Sequence, residues 1–191
     1  MLVNTIHTID DTTSESGEVT EPVTLDEVKD YLRLEGFTAD DDSGEGAFDF
    51  DDALIEELIT EARIWVEKFT GLSLVPKTLT IVLSNQAGMI EFPGPVTGTI
   101  VLTDKDDVTI EDTEYKFIGT EFPKLVTRFC DMITAEYDAG YTTATIPKGL
   151  KLALLAYCAD HYEFRGDDKP EAPNERATQK ARPYRRLSAW A

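Results

Sequence analysis

Met132-Ile133-Thr134-Ala135-Glu136-Tyr137-Asp138-Ala139-Gly140-Tyr141, then Ile146-Pro147 and the run from Lys148 to Arg165, decide how this chain folds. The first part has a period of two and reads as a strand, with Gly140 as a tight turn. Pro147 then sets the start of a helix, where a missing N–H costs nothing. Along that helix Leu150, Leu154, Tyr157 and His161 line one face, flanked by Leu155 and Cys158. After Arg165 the composition turns to Gly, Asp, Pro, Lys, Glu and Asn, and the helix has no reason to continue. Residues 142–165 are therefore read as a third core helix, and 166–191 as an extended basic arm.

Upstream of this strand the period of two extends back to Leu72. The candidate strands are Thr78–Leu83, Met89–Phe92, Gly98–Leu102, Val108–Glu111, Tyr115–Ile118, Leu125–Arg128 and Met132–Tyr137. Pro93-Gly94-Pro95, Lys105-Asp106-Asp107 and Glu121-Phe122-Pro123 punctuate them. Short strands with short links imply antiparallel pairing, so 72–141 is read as a small antiparallel β region.

Further upstream two helices are expected within 22–71. Thr24 with Glu27 forms a capping box, and Val23 with Val28 the hydrophobic staple around it. Leu25, Val28 and Leu32 mark one face with Tyr31 beside it, and Gly36 is the expected stop. An acidic, Gly-containing insertion spans 35–50. The second helix is expected from about Asp51 to Phe69, with a stripe of Leu54, Leu58, Ala62, Trp65 and Phe69 widened by Ile55, Ile59 and Val66. Asp51, Asp52, Glu56 and Glu57 crowd its positive end, as the helix dipole prefers. Residues 1–21 read as a flexible polar arm, although Leu2, Val3, Ile6 and Ile9 alternate weakly and could add a strand to a neighbour. The class is α+β: a small bundle of three main helices, an inserted small antiparallel sheet, and extended arms at both ends.

The charge is lopsided. The chain of 191 residues carries a formal net charge of −19. Arg176, Lys180, Arg182, Arg185 and Arg186 give the stretch 176–191 a charge of +5 with no acid, so residues 1–175 carry −24. A body this acidic repels nucleic acid, which excludes duplex binding driven by counterion release. A basic arm tipped by Tyr184 and Trp190 is instead an assembly signature. Cys130 and Cys158 sit among apolar neighbours and read as small core residues rather than a disulfide or metal pair. No apolar run reaches the ~18 residues of a membrane span, and the start of the chain lacks the features of a signal peptide, so the expected compartment is the cytoplasm.

Catalytic patterns are lacking. The sequence holds no Gly-rich phosphate loop, no G-x-S-x-G elbow and no His pair at metal spacing. His161 is expected to pack or to cap its helix, because a general base needs a partner and the sequence offers none. The carboxylates are too abundant for any two to mark an acid–base pair. One stretch has the spacing of a twelve-residue calcium loop: Asp41, Ser43, Glu45, Asp49 and Asp52 at positions one, three, five, nine and twelve, with Gly46 at the turn. Its twelfth residue is Asp where Glu reaches further, and the plainer reading is an acidic insertion.

Taken in order, three blocks resemble the head–tail connector (adaptor) proteins of tailed bacteriophages. Pro22-Val23-Thr24-Leu25-Asp26-Glu27-Val28-Lys29-Asp30-Tyr31-Leu32-Arg33 resembles their opening helix. Asp52-Ala53-Leu54-Ile55-Glu56-Glu57-Leu58-Ile59, with Ala62, Val66, Glu67, Thr70 and Gly71, resembles their second helix and its end. Tyr137-Asp138-Ala139-Gly140-Tyr141, Ile146-Pro147, Leu150-Lys151 and Tyr162-Glu163-Phe164-Arg165 resemble their third block. The resemblance implies a virion protein without enzymatic activity or cofactor, made in the host cytoplasm and placed in the neck. It implies a ring of about twelve copies, with the portal protein on one side and a neck or tail-completion protein on the other. Genomic DNA would pass through the channel without sequence-specific binding. The C-terminal segment would reach the portal, which makes Arg176, Lys180, Arg182, Tyr184, Arg185, Arg186 and Trp190 the candidate portal-binding residues. Rival readings are a calcium-binding interaction module switched at 41–52 and, within a phage neck, a stopper or tail terminator.

Overall fold

The computed structural model describes residues 5–12, 20–34, 49–84, 88–92, 94–127, 132–164 and 174–186. It is α+β, and the chain divides into a helical unit (20–70 and 143–185) and a β unit (1–19, 71–142 and 186–191).

The helical unit begins with α1 (Leu25–Leu32). Its capping box is closed from both sides: the Glu27 amide donates to Thr24 Oγ1 at 3.2 Å, and the Thr24 amide donates to Glu27 Oε2 at 3.1 Å. Val23 and Val28 are both buried, as the staple requires. The helix stops before the expected Gly36, which lies outside the described residues. Arg33 itself takes the left-handed conformation (φ 58°), and the amides of Arg33 and Leu34 donate back to the carbonyls of Asp30 and Lys29.

The second helix, α2 (Asp49–Thr70), starts about two residues earlier than expected. Ile55, Leu58, Ile59, Ala62 and Val66 form its buried stripe, while Trp65 and Phe69 stack at 5.3 Å on its half-buried flank. The third, α3 (Lys148–Glu163), starts directly after Pro147. It is buried on more than one side, because Ala153, Ala156 and Ala159 let neighbours close in beside Leu150, Leu154 and Tyr157. Cys158 is fully buried, as expected, with its Sγ 3.6 Å from the Leu58 carbonyl. Burial pushes its thiol up to about 12. Cys130 lies outside the described residues.

The 166–191 segment is not an extended arm where it is described. Residues Glu175–Ala181 form a fourth helix, α4, which runs into a 3-10 turn at Arg182–Tyr184. Ala177 and Ala181, one turn apart, are fully buried, so a two-alanine face suffices to dock this helix.

The β unit holds two antiparallel sheets. Strands β1 (Thr5–Thr12), β2 (Lys77–Ser84), β7 (Ile133–Ala139) and β4 (Val101–Asp104) lie in that order in a four-stranded sheet; β3 (Gly88–Glu91), β6 (Lys124–Thr127) and β5 (Tyr115–Ile118) form a three-stranded one. Residues 5–12 are thus part of the sheet rather than a free arm: Asp10 pairs with Thr80 and Thr12 with Thr78 of the same chain. The inward sides of both sheets share one core, including Ile81, Phe92, Leu102, Leu125, Ala135 and Tyr137. Phe92 meets Phe117 and Tyr137 edge to face at 5.8 and 5.3 Å.

Two strand expectations shift. The Gly98–Leu102 candidate is realised as Val101–Asp104. Val108–Glu111 is not a strand, because the Asp104 carboxylate takes the amides of Asp106 and Val108 and bends the chain back. Only a bridge from Thr103 to Thr109 survives.

Gly140 fulfils its expected role. Its φ is +125°, and a Cβ there would run into the Val75 carbonyl of a neighbouring backbone segment.

Candidate docking segment

The basic residues predicted to meet a partner lie mainly on α4 and the turn after it, and the structure shows what each one touches. Arg176, on the first turn of α4, donates through Nε to Asp160 Oδ1 at 2.7 Å, and its guanidinium also pairs with that carboxylate and reaches Glu163 at 3.8 Å. Asp160 is 9% exposed, so it needs this partner. The pair holds the Arg176 guanidinium above its ordinary range. The next residue on α3, His161, stacks on Tyr157 at 4.1 Å and meets Asn174 Oδ1 at 2.9 Å. His161 therefore packs and ties α3 to the residue that starts α4.

Tyr184 is half-buried against the start of α3. A Cβ on Gly149 would come within 2.5–2.9 Å of the Tyr184 ring and hydroxyl, so the missing side chain makes its seat. Arg185 lies over the Phe69 ring at 5.4 Å. In the β unit Arg186 lies over Phe122 at 3.8 Å and pairs with Glu91. Lys180 and Arg182 pair with no acid among the described residues, and Arg182 is exposed. Trp190 lies outside the described residues.

The segment is therefore anchored on its own chain through Arg176, Tyr184, Arg185 and Arg186, with Lys180 and Arg182 open. Sequence reasoning grouped these residues by charge, but their internal partners come from α2, α3 and the β unit. An open cavity of 640 Å³ adjoins Arg176, lined by Tyr31, Leu32, Arg33, Ala159, Tyr162 and Glu163 as well.

The other helical pairs are Arg63 with Glu21 (2.9 Å) and Glu67 (3.5 Å), Lys151 with Glu27 (2.8 Å) and Lys29 with Asp52 (2.6 Å). That last pair bears on the calcium-loop spacing. Asp41, Ser43 and Glu45 lie outside the described residues, Asp49 is the first residue of α2, and Asp52 is already on the helix facing Lys29. Among the described residues no group of three His, Cys, Asp or Glu side chains could hold a metal ion. No helix among them is long and apolar enough to cross a membrane.

No family model matches the sequence, and no curated protein matches it. The fold, however, is shared over 95% of the chain with solved structures of phage-like particles. A chain in the neck of an empty gene transfer agent (GTA) particle, computed with C6 symmetry, superposes with a TM-score of 0.70 at 17% identity, over 95% of this chain and 96% of that one. A chain in the virion of a native GTA particle gives 0.69 at 20% identity, and one in the neck of a native GTA particle, computed with C12 symmetry, gives 0.67 at 16%, each with the same coverage.

Proposed function

We propose that this chain is a structural virion protein of the neck, a ring-forming head–tail connector that joins the portal to the next neck or tail component. The observation that carries the reading is the likeness, over 95% of the chain, to chains from particle necks and a virion, at TM-scores of 0.67–0.70. The ordered blocks at 22–33, 52–71 and 137–165 support it from an independent direction. Neck structures computed with C6 and C12 symmetry fit a ring, and twelve copies is the number we favour.

The physics of a DNA conduit is compatible with this body. Basic groups on a channel wall would hold phosphates and stall passage, and acidic ones would not. Copies carrying −19 each repel one another, so assembly is expected to be slow without a template. Lys180 and Arg182 are the described candidates for portal contact, with Trp190 beyond them, because they alone of the predicted set lack internal anchors among the described residues. In this reading the chain performs no chemistry; its work is to hold a joint.

The test is quantitative mass spectrometry of purified particles from the source, scaled to the portal protein. A ratio near one to one supports a neck ring. Absence from the particle overturns the reading.

A further inference from the structure

The β unit presents two outer faces that point in opposite directions, because its sheets turn their inner sides toward one core. On the three-stranded sheet Phe117 and Leu125 belong to that core, so strand alternation sends Lys116, Ile118, Lys124 and Val126 outward. Ile118 and Val126 are exposed, at 49% and 37%. Register places Val126 opposite Lys116 and Ile118 opposite Lys124, so each lysine stands beside a branched aliphatic. Lys124 also pairs with Glu91 at 3.2 Å; Lys116 has no acidic partner among the described residues.

The four-stranded sheet has the opposite character. Ala135, Tyr137 and Ala139 face the core, so Glu136 and Asp138 face out, beside Val101 and a row of threonines. Register places Val101 opposite Glu136, and Val101 is 46% exposed. Among the described residues Glu136 has no basic partner, and the Asp138 carboxylate accepts from Thr78 Oγ1 at 2.8 Å. One face therefore carries unpaired positive charge beside aliphatics, and the other carries unpaired negative charge beside an aliphatic, at the same cross-strand spacing of about 5 Å.

We propose that a second copy of this chain covers these faces, the Lys116/Lys124 face of one copy seating on the Glu136/Asp138 face of the next. The proposal rests on the ring reading above and names its lateral contact. Faces that differ and lie on opposite sides make a head-to-tail contact, the kind that closes into a ring when the rotation per copy permits. It also answers the repulsion between acidic copies. Each joint sets the positive patch of one copy against the negative patch of another, and complementary patches select and orient partners even when the whole molecules repel.

The decisive experiment uses single reversals, Lys116→Glu and Glu136→Lys, which break no ion pair among the described residues. Particles from the source are made with each variant alone and with both together, and copies per particle are counted against the portal. Thermal melts establish that both variants fold. Each variant alone sets like charge against like and should lower incorporation about tenfold. Supplied together, the reversed face of each variant meets the reversed face of the other and the two unreversed faces meet likewise, so an alternating ring forms and incorporation returns. If single variants enter particles at the wild-type level, or if both are lost and the mixture does not recover, the proposed contact is wrong while the neck reading stands. If the wild-type chain is itself missing from particles, the neck reading fails and this contact with it.

Discussion

The two units handle charge differently. In the helical unit the cations Lys29, Arg63, Lys151 and Arg176 all have named acidic partners between 2.6 and 3.5 Å or in direct pairs. In the β unit Lys116 and Glu136 stand exposed and without an ion-pair partner among the described residues, on faces that also expose Ile118, Val126 and Val101. Cations paired internally, as those four are, have little left to offer a partner, whereas open charge beside open aliphatics does; in the helical unit Lys180 and Arg182 are exceptions among the described residues. The contrast teaches that net charge misplaces the contact surface. The basic C-terminal segment, conspicuous in the sequence, is mostly anchored to its own chain, and the quieter sheet faces are open.

The largest effects should come from the two cores. Phe92→Ala removes the ring at the centre of the β core and should cost about 3–5 kcal/mol, and Leu154→Ala in α3 about 2–5 kcal/mol, by urea denaturation. Comparable losses would show both units to be equally well packed; a much smaller loss at Phe92 would break the comparison by revealing a looser β core.

Next in size is Arg176→Ala. It strips the buried Asp160 of its partner, and with half of the Arg176 side chain in solvent the cost is expected at about 1–2 kcal/mol. No measurable change would mean that this pair does not anchor α4. Thr24→Ala, which opens the capping box of α1, should cost about 1 kcal/mol, again by denaturation.

A smaller effect lies in pH. The hydrogen bond from Lys151 holds the Glu27 carboxyl below its ordinary value of 4.5. A group depressed in the folded state stabilises fully above its ordinary pKa, and that contribution fades as pH falls below about 4.5 through the folded value. Lys151→Met should therefore flatten the stability profile in that acid window and leave the profile above it parallel. If the two profiles stay parallel down to pH 3, the pair does not form in solution.

The least perturbing probe is alkylation. The Cys158 thiol, buried and raised to about 12, should stay unlabelled by iodoacetamide at pH 8 until the protein is unfolded, as peptide mass spectrometry would show. Rapid labelling at Cys158 in the folded protein would show that the α2–α3 packing opens.

How much of this was legible in the sequence depended on side-chain size. The capping box at Thr24 and the Pro147 start of α3 are strong local patterns and appear as read, while the stripe along α2 appears with its centre moved to Ile55, Ile59 and Val66, and with Leu54, Trp65 and Phe69 half-buried beside it. The fourth helix was illegible because its buried face is Ala177 and Ala181, too small to register as hydrophobic periodicity among Arg, Gln and Lys. The α1 stop was missed because Arg33 adopts a backbone conformation that glycine usually supplies. The turn after β4 was read as a strand because Val108 and Ile110 mimic alternation, while the Asp104 side chain that bends the chain leaves no mark in a hydropathy pattern. Internal partners of the basic segment were beyond reach, since Asp160, Phe69 and Glu91 lie far from it in sequence.

Strands β2 and β7 pair along their length, Lys77 with Ala139, so the 71–142 segment of the β unit is entered and left through adjoining strands while α2 lies before it and α3 after it. This has a consequence in time. During synthesis α2 emerges with Ile55, Ile59, Ala62 and Val66 bare, and the ribosome must still translate residues 71–147 before α3 can begin to cover them. At ~5–20 residues per second that wait is roughly 4–15 s. The strands can pair as soon as β7 is out, so the inserted unit is expected to mature first, and the newborn helices are where a chaperone would be needed.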